Sequence, residues 1–289
     1  APDACLYTLG LNNRWGPTAD VRVRRAISHS INRQAMVDLA YESSTVPRVV
    51  PFSTYGGLAA YETQLQGIID SYRPDDPNPA AVASNMAEAG YVRDSAGFWA
   101  KDGTRLSLEL PTPGWLKPMA PVIEKQLRDN GFETTFKLFD PDTQPFFDMV
   151  RAGKASIWII VHCGSSREPH GTLQHFHSRF ASPAEGQLNI YIWANSQQVN
   201  PEYDAIINEM DGMQPSPTNA RYVELSGAAT NIFLRDVLEI TLAEERHVTT
   251  FNNTYWRGWM NNGNAYAAPY SLWAPFALAF FKLEQGPGQ

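Results

Sequence analysis

Apolar positions near the start of the chain recur at helical spacing. Val23, Ile27 and Ile31 form one stripe, and Met36, Leu39 and Ala40 continue it after a small drift. Arg22, Arg25, His29, Asn32 and Arg33 take the opposite face. The pattern predicts one amphipathic helix of about twenty residues, with Asp20 as its N-cap. The stretch from Pro47 to Gly57 is rich in Pro and Gly and predicts irregular chain. Asn78-Pro79 opens a second helix, with Asn as cap and Pro in the first turn, and Gly90 closes it.

From Phe98 to Pro111 the pattern switches to a hairpin. Asp102-Gly103 supplies the turn, and Leu106, Leu108 and Leu110 alternate with polar neighbours at the period of a half-buried strand. Met119, Val122, Ile123 and Leu127 make a helical stripe ended by Gly131, and Phe132, Thr134, Phe136 and Leu138 alternate again as a strand. Asp142 is placed to cap a short helix carrying Phe146, Phe147 and Val150, ended by Gly153. Ala155 to Val161 is a continuous apolar run, short enough to be a strand buried on both faces. Strand, helix, strand, helix, strand in this order predicts an α/β unit, a mixed sheet flanked by helices. Asn200-Pro201 caps a further helix with Tyr203, Ile206, Ile207 and Met210 inward, and Ser216 is expected to cap a long helix running to about Ala243. The last fifty residues are rich in aromatics at irregular spacing. Trp256, Arg257, Gly258 and Trp259 suit either the hinge side of a cleft or packing on another lobe.

The 289 residues are 43% hydrophobic and 18% charged, with a net charge of -7, which suits a packed core and one or two domains. Nucleic-acid binding needs clustered cations to neutralise phosphates, and the one local concentration, Arg22, Arg24, Arg25 and Arg33, sits in the first helix pattern as a solvated face. No nucleic acid is expected as a partner. No apolar run is long enough for a membrane span. The tail from Leu272 to Leu283 is broken by Pro275. The chain opens at Ala1 with no initiator Met or signal peptide, which reads as a start within a larger protein. The two cysteines, Cys5 and Cys163, match no zinc spacing. Two buried thiols and a disulfide both remain open.

Five segments, in order, resemble the peptide/oligopeptide-binding family (family 5) of extracellular solute-binding proteins that serve ABC importers. Asp20 to Arg33, D-V-R-V-R-R-A-I-S-H-S-I-N-R, is similar to that family's helix, with Asn32 where an Asp is usual. Asn78 to Tyr91, the turn at Asp102-Gly103, Ala120 to Thr134 and Pro201 to Met210 follow at the expected places. The resemblance implies a periplasmic-binding-protein type II-like lobe, the C-terminal part of a larger receptor. Residues 1–10 would then be a hinge crossing from a first lobe, 11–243 the C-terminal ligand-binding lobe, and 244–289 a segment returning to the hinge and first lobe.

The resemblance also implies the function: a monomeric extracytoplasmic receptor, in the periplasm or lipid-anchored at the cell surface. It would capture a peptide or other small polar solute by hinge closure and deliver it to ABC permease subunits, with no cofactor, metal or catalysis. In α/β lobes the ligand sits beyond the carboxyl ends of strands, which selects two loops: Thr112 to Lys117, and His162 to Pro169. The second, H-C-G-S-S-R-E-P, resembles the family loop W-C-A-D-Y-x-x-P, whose Asp pairs with a peptide's α-amine. Here Ser165 holds the Asp position and His162 the Trp position. A neutral hydroxyl cannot make the charge-assisted bond that an ammonium demands, so a sugar-like solute, a modified peptide or another polar solute is expected. The candidate ligand-binding residues are His162, Gly164, Ser165, Ser166, Trp115 and Trp193, the two tryptophans as stacking surfaces.

Two other readings use the same residues. His162, His175 and His177 could bind zinc in a metallohydrolase, although no H-E-x-x-H is present. A sensory module could keep the fold without the transporter. Cys163 beside His162 is the arrangement of a nucleophile and its base, but neighbouring strand residues point to opposite faces.

Overall fold

The computed structural model describes residues 2–54, 57–72, 77–165, 167–188, 196–246, 250–259, 277 and 280–286. The first strand, β1 (Pro2–Leu11), is buried along most of its length. The expected amphipathic helix is in fact two, α1 (Val21–Ser30) and α2 (Arg33–Tyr41). Ile31 is extended, and the Asn32 side chain accepts the Ala35 N–H, so a fresh N-cap interrupts the stripe where its drift began. Asp20 caps α1 as expected, accepting the Arg22 N–H.

The Pro/Gly-rich stretch is irregular, apart from a bridge between Pro47 and Ala243. A helix without a sequence expectation follows, α3 (Leu58–Tyr72), burying Leu58, Tyr61, Leu65 and Ile69 at helical spacing. The next helix, α4 (Pro79–Glu88), is capped by Asn78 and ends before Gly90, whose φ of 86° is the left-handed conformation that favours glycine. Three short strands, β2 (Val92–Arg93), β3 (Trp99–Lys101) and β4 (Thr104–Arg105), form an antiparallel meander turning at Asp102-Gly103. The hairpin ends there. Leu106 to Leu110 belong largely to β5 (Ser107–Pro113), which leaves the meander and pairs in parallel with β6 (Glu133–Phe139) across α5 (Ala120–Asp129).

After α6 (Gln144–Arg151), β7 (Ile157–Cys163) is the buried strand the apolar run called for. The one-turn α7 (His170–Leu173) leads toward α8 (Pro201–Asp211) and α9 (Ala220–Asp236). The long helix expected to reach Ala243 stops at Asp236. Val237 takes a left-handed φ of 47°, and β8 (Glu239–Arg246) follows. Asn219, not Ser216, is the cap. The alternation of Glu239, Thr241 with Ile240, Leu242 is a strand period that the preceding helix pattern masked. Two short strands, β9 (Trp256–Arg257) and β10 (Glu284–Gln285), pair near the end.

The organising unit is a three-stranded antiparallel sheet in the order β7-β1-β8, drawn from the start, middle and later part of the chain. On one face, Cys5, Tyr7, Leu9, Leu11, Ile157, Ile159, Ile240 and Leu242 join the inward residues of α1, α2, α4 and α5 in one core. On the other face, α3, α8 and α9 form a second core with Leu173 and Phe176. Each fully buried Leu, Ile or Phe contributes about 1.5–3 kcal/mol relative to exposure, so the two faces fix the register of β1. Arg24 ties α1 to α9. Its guanidinium donates to the carbonyls of Thr18, Ala19, Asp236 and Val237, which satisfies the chain end of α9.

Candidate ligand-binding edge

Because β1 runs against both neighbours, its beginning lies beside the ends of β7 and β8. Cys5 stands directly opposite Cys163, and the two form a disulfide. This settles the cysteines as a staple between strands and removes the Cys163 thiol as a nucleophile. The described residues hold one His/Cys/Asp/Glu group at metal-ligand spacing, Cys5, Cys163 and Glu245, and both of its sulfurs are committed to that bridge.

The loop after β7 is held from several sides. The Gly164 N–H donates to the Ala4 carbonyl, 3.3 Å away. The Ser165 N–H donates to the Thr172 hydroxyl at 3.1 Å. The Ser165 hydroxyl oxygen accepts the N–H groups of Arg167 and Glu168 at 3.0 and 3.2 Å, which leaves its own O–H able to donate. Glu168 accepts the Gly171 N–H and the Tyr222 hydroxyl. Burial, together with that carboxylate, raises the Tyr222 pKa, so the phenol stays a donor. A Cβ on Gly164 would lie 1.9 Å from the Thr172 hydroxyl oxygen, so this close approach accepts no side chain.

His162 is on the other face of β7 from Cys163, and its ring is inside the lobe at 2% exposure rather than in a cleft. Its Nδ1 is 2.9 Å from a Glu239 carboxylate oxygen, and its Nε2 is 2.9 Å from Nδ1 of His175. Burial, reinforced by the neighbouring histidines, pushes the His175 pKa down to about 3. The Glu239 carboxylate accepts from His162 Nδ1, and the neutral His175 shares one hydrogen bond with the other nitrogen of that ring.

The remaining histidines are held apart. His170 pairs with Asp211 at 2.7 Å, and His177 accepts the Arg179 N–H and faces Asn208 and Asp204. The set proposed for zinc is thus split: His162 and His175 touch, while His177 turns to α8.

Trp115 sits on the 3-10 turn after β5, 55% exposed, with its ring centroid 6.3 Å from that of Phe147. Ser166 and Trp193 lie outside the described residues. Trp256 is half exposed on β9, and Trp259 stacks on Phe251 at 4.7 Å.

Sequence reasoning missed three members of this edge. Glu239 was hidden within a stretch read as helix, and Glu244 opened the segment read as returning to the hinge. Glu244, fully buried, accepts the Thr54 N–H at 2.6 Å and the Arg246 guanidinium at 3.1 Å. Glu168 was taken as a plain loop residue. The available signal was acidic residues inside an apolar run, which need partners when buried.

The comparisons agree with this architecture. Residues 1–183 match the model of the bacterial extracellular solute-binding proteins, family 5 (middle), and the chain belongs to that family. The lobe is similar over 99% of its length to the periplasmic oligopeptide-binding protein of an oligopeptide ABC transporter from Thermotoga maritima, solved with mannohexaose. The TM-score is 0.79, the identity 20%, and 53% of that chain is covered. HbpA2 from Haemophilus parasuis matches over 99% of this chain and 49% of its own, with a TM-score of 0.66 and 17% identity. Heme-binding protein A from Haemophilus influenzae is 24% identical over 217 residues, 74% of this chain and 35% of the relative. The chain therefore spans between a third and about half the length of these relatives.

Proposed function

We propose that this chain is one jaw of an extracytoplasmic receptor that captures a small polar solute and hands it to an ABC importer. The observation that carries the reading is the pairing of Pro2 with Arg246 beside the loop after β7. The chain enters and leaves the lobe at the edge that presents the ligand loop, the geometry a hinge needs to close a second lobe over a bound molecule. In this reading residues 1–10 and 244–289 are the crossings to the first lobe, and 11–243 grip the ligand. The work done is binding rather than bond-making, by a monomer. The disulfide supports an oxidising compartment, periplasm or cell surface.

Gly164, Ser165, Ser166, Trp115 and Trp193 would touch the ligand, with His162 bracing the loop from behind. A hydroxyl at Ser165 favours a sugar-like solute or a peptide whose amine is masked. Ser165→Asp should weaken the natural solute and shift preference toward ligands with a free amine. An unchanged preference in calorimetric titration of the intact receptor would remove Ser165 from the site.

A further inference from the structure

Tethers to β1, α7 and α9 hold the ligand loop. Gly164 is tied to the Ala4 carbonyl of β1, and the Ser165 N–H to the Thr172 hydroxyl of α7. These act on the entry to the loop. The tether to α9 acts on its far half and runs through a side chain, since the Glu168 carboxylate accepts the Tyr222 hydroxyl.

Glu168 is also tied back to Ser165. Its N–H, with that of Arg167, donates to the Ser165 hydroxyl oxygen. Its carboxylate shares the Gly171 N–H between two oxygens, at 3.0 and 3.2 Å. A Cβ added to Gly171 would lie 2.6 Å from Cβ of Ser165 and 2.8 Å from Oε1 of Glu168, so both side chains stand over the same backbone. A hydroxyl oxygen that accepts two N–H groups keeps one O–H, whose direction follows from where those donors are. The placement of Glu168 thus decides where Ser165 can donate. The outer end of the tether is fixed. Tyr222 is fully buried on α9, its ring 5.9 Å from that of Tyr61 on α3, inside the second core. Close-packed interiors allow such a ring little displacement.

We propose that Glu168, anchored by Tyr222, is the positioning residue of the ligand loop and aims the Ser165 hydroxyl at the solute without touching the solute itself. This rests on the reading of that loop as the solute contact. Holding the donor in place before binding removes an ordering cost that the solute would otherwise meet.

Two measurements on the intact receptor test it. Hydrogen exchange needs no ligand. Glu168→Ala should speed exchange of the Arg167 and Gly171 amides by about tenfold, the loss of about one hydrogen bond, while β7 keeps wild-type protection. The second uses the solute that co-purifies with wild type from its own host, released by denaturation and re-added to unliganded receptor in a native mass spectrometry titration. Glu168→Ala should weaken binding by about tenfold, and Tyr222→Phe several-fold. Glu168→Gln should largely restore it, because its amide still accepts from Gly171 and can donate to the phenol oxygen. In a Ser165→Ala background, Glu168→Ala should have no further effect, whereas a general loss of stability would weaken binding in either background. Unchanged exchange in Glu168→Ala would overturn the proposal, as would equal weakening by Ala and Gln or additive losses with Ser165→Ala. Wild type that carries no solute would overturn the receptor reading and this inference with it. Solute bound alike by wild type and Glu168→Ala would overturn this inference alone.

Discussion

His162 and Glu239 meet in the interior of the lobe, ring nitrogen to carboxylate oxygen at 2.9 Å, bridging the middle and late strands of one sheet across β1. Removing either partner leaves the other without this hydrogen bond. His162→Ala should cost about 1–3 kcal/mol in urea unfolding, because the buried Glu239 side chain loses a partner. Glu239→Gln, which keeps an acceptor for the ring, should cost less. Equal losses would mean that the pair contributes through volume alone.

His175 makes the stability depend on pH in one direction. In the unfolded chain its pKa is near the ordinary value of 6.5, and in the fold it is pushed down to about 3. Above pH 6.5 both states leave it neutral, and it contributes no slope. As pH falls below 6.5, the unfolded state binds a proton that the folded state refuses, so stability drops by up to about 1.4 kcal/mol per unit until pH nears 3. Wild type minus His175→Asn, compared by urea unfolding between pH 7 and 4, should show this slope. Parallel profiles would contradict the assignment.

Much of the fold was legible. The caps at Asp20, Asn78 and Asn200, the turn at Asp102-Gly103 and the buried run ending in β7 are local signals, set by a few neighbouring residues. What was not legible is non-local. β1 has its place because it is flanked by β7 and β8, whose paired residues are far away in sequence, as Leu11 with Ile157 and Pro2 with Arg246. The end of α9 carries no Gly or Pro. It stops because Arg24 gathers the carbonyls of Asp236 and Val237, a contact across 212 positions. Of the candidate site, the sequence showed the loop after β7 as a loop, but the inward turn of His162 depends on Glu239 and His175, which no spacing in the sequence links to it.

Arg24 is a junction that lysine cannot replace. It is buried with its pKa lowered to about 10, and it satisfies four carbonyls through a planar fork. Arg24→Lys should cost about 2–3 kcal/mol, as at least one helix-end carbonyl loses its partner. Hydrogen exchange should report the loss first at the end of α9. Wild-type protection there in the variant would show that the carbonyls find water instead.

The Cys5–Cys163 bridge closes a sequence separation of 158. Its reduction, or the paired Cys5→Ser, Cys163→Ser change, should lower unfolding free energy by about 2–5 kcal/mol. Thermal unfolding with and without a strong reductant measures this. A melting temperature indifferent to reductant would mean that the staple adds nothing to the sheet.

The central claim is that the loop after β7 grips a solute. Native mass spectrometry of the intact receptor recovered from its own host, wild type beside Gly164→Ala, tests it most directly. A Cβ at that position collides with Thr172 and must displace the loop. At equal secondary structure by circular dichroism, wild type is expected to carry a non-covalently bound polar solute that the variant lacks. The same solute held in the same amount by both proteins would contradict the account.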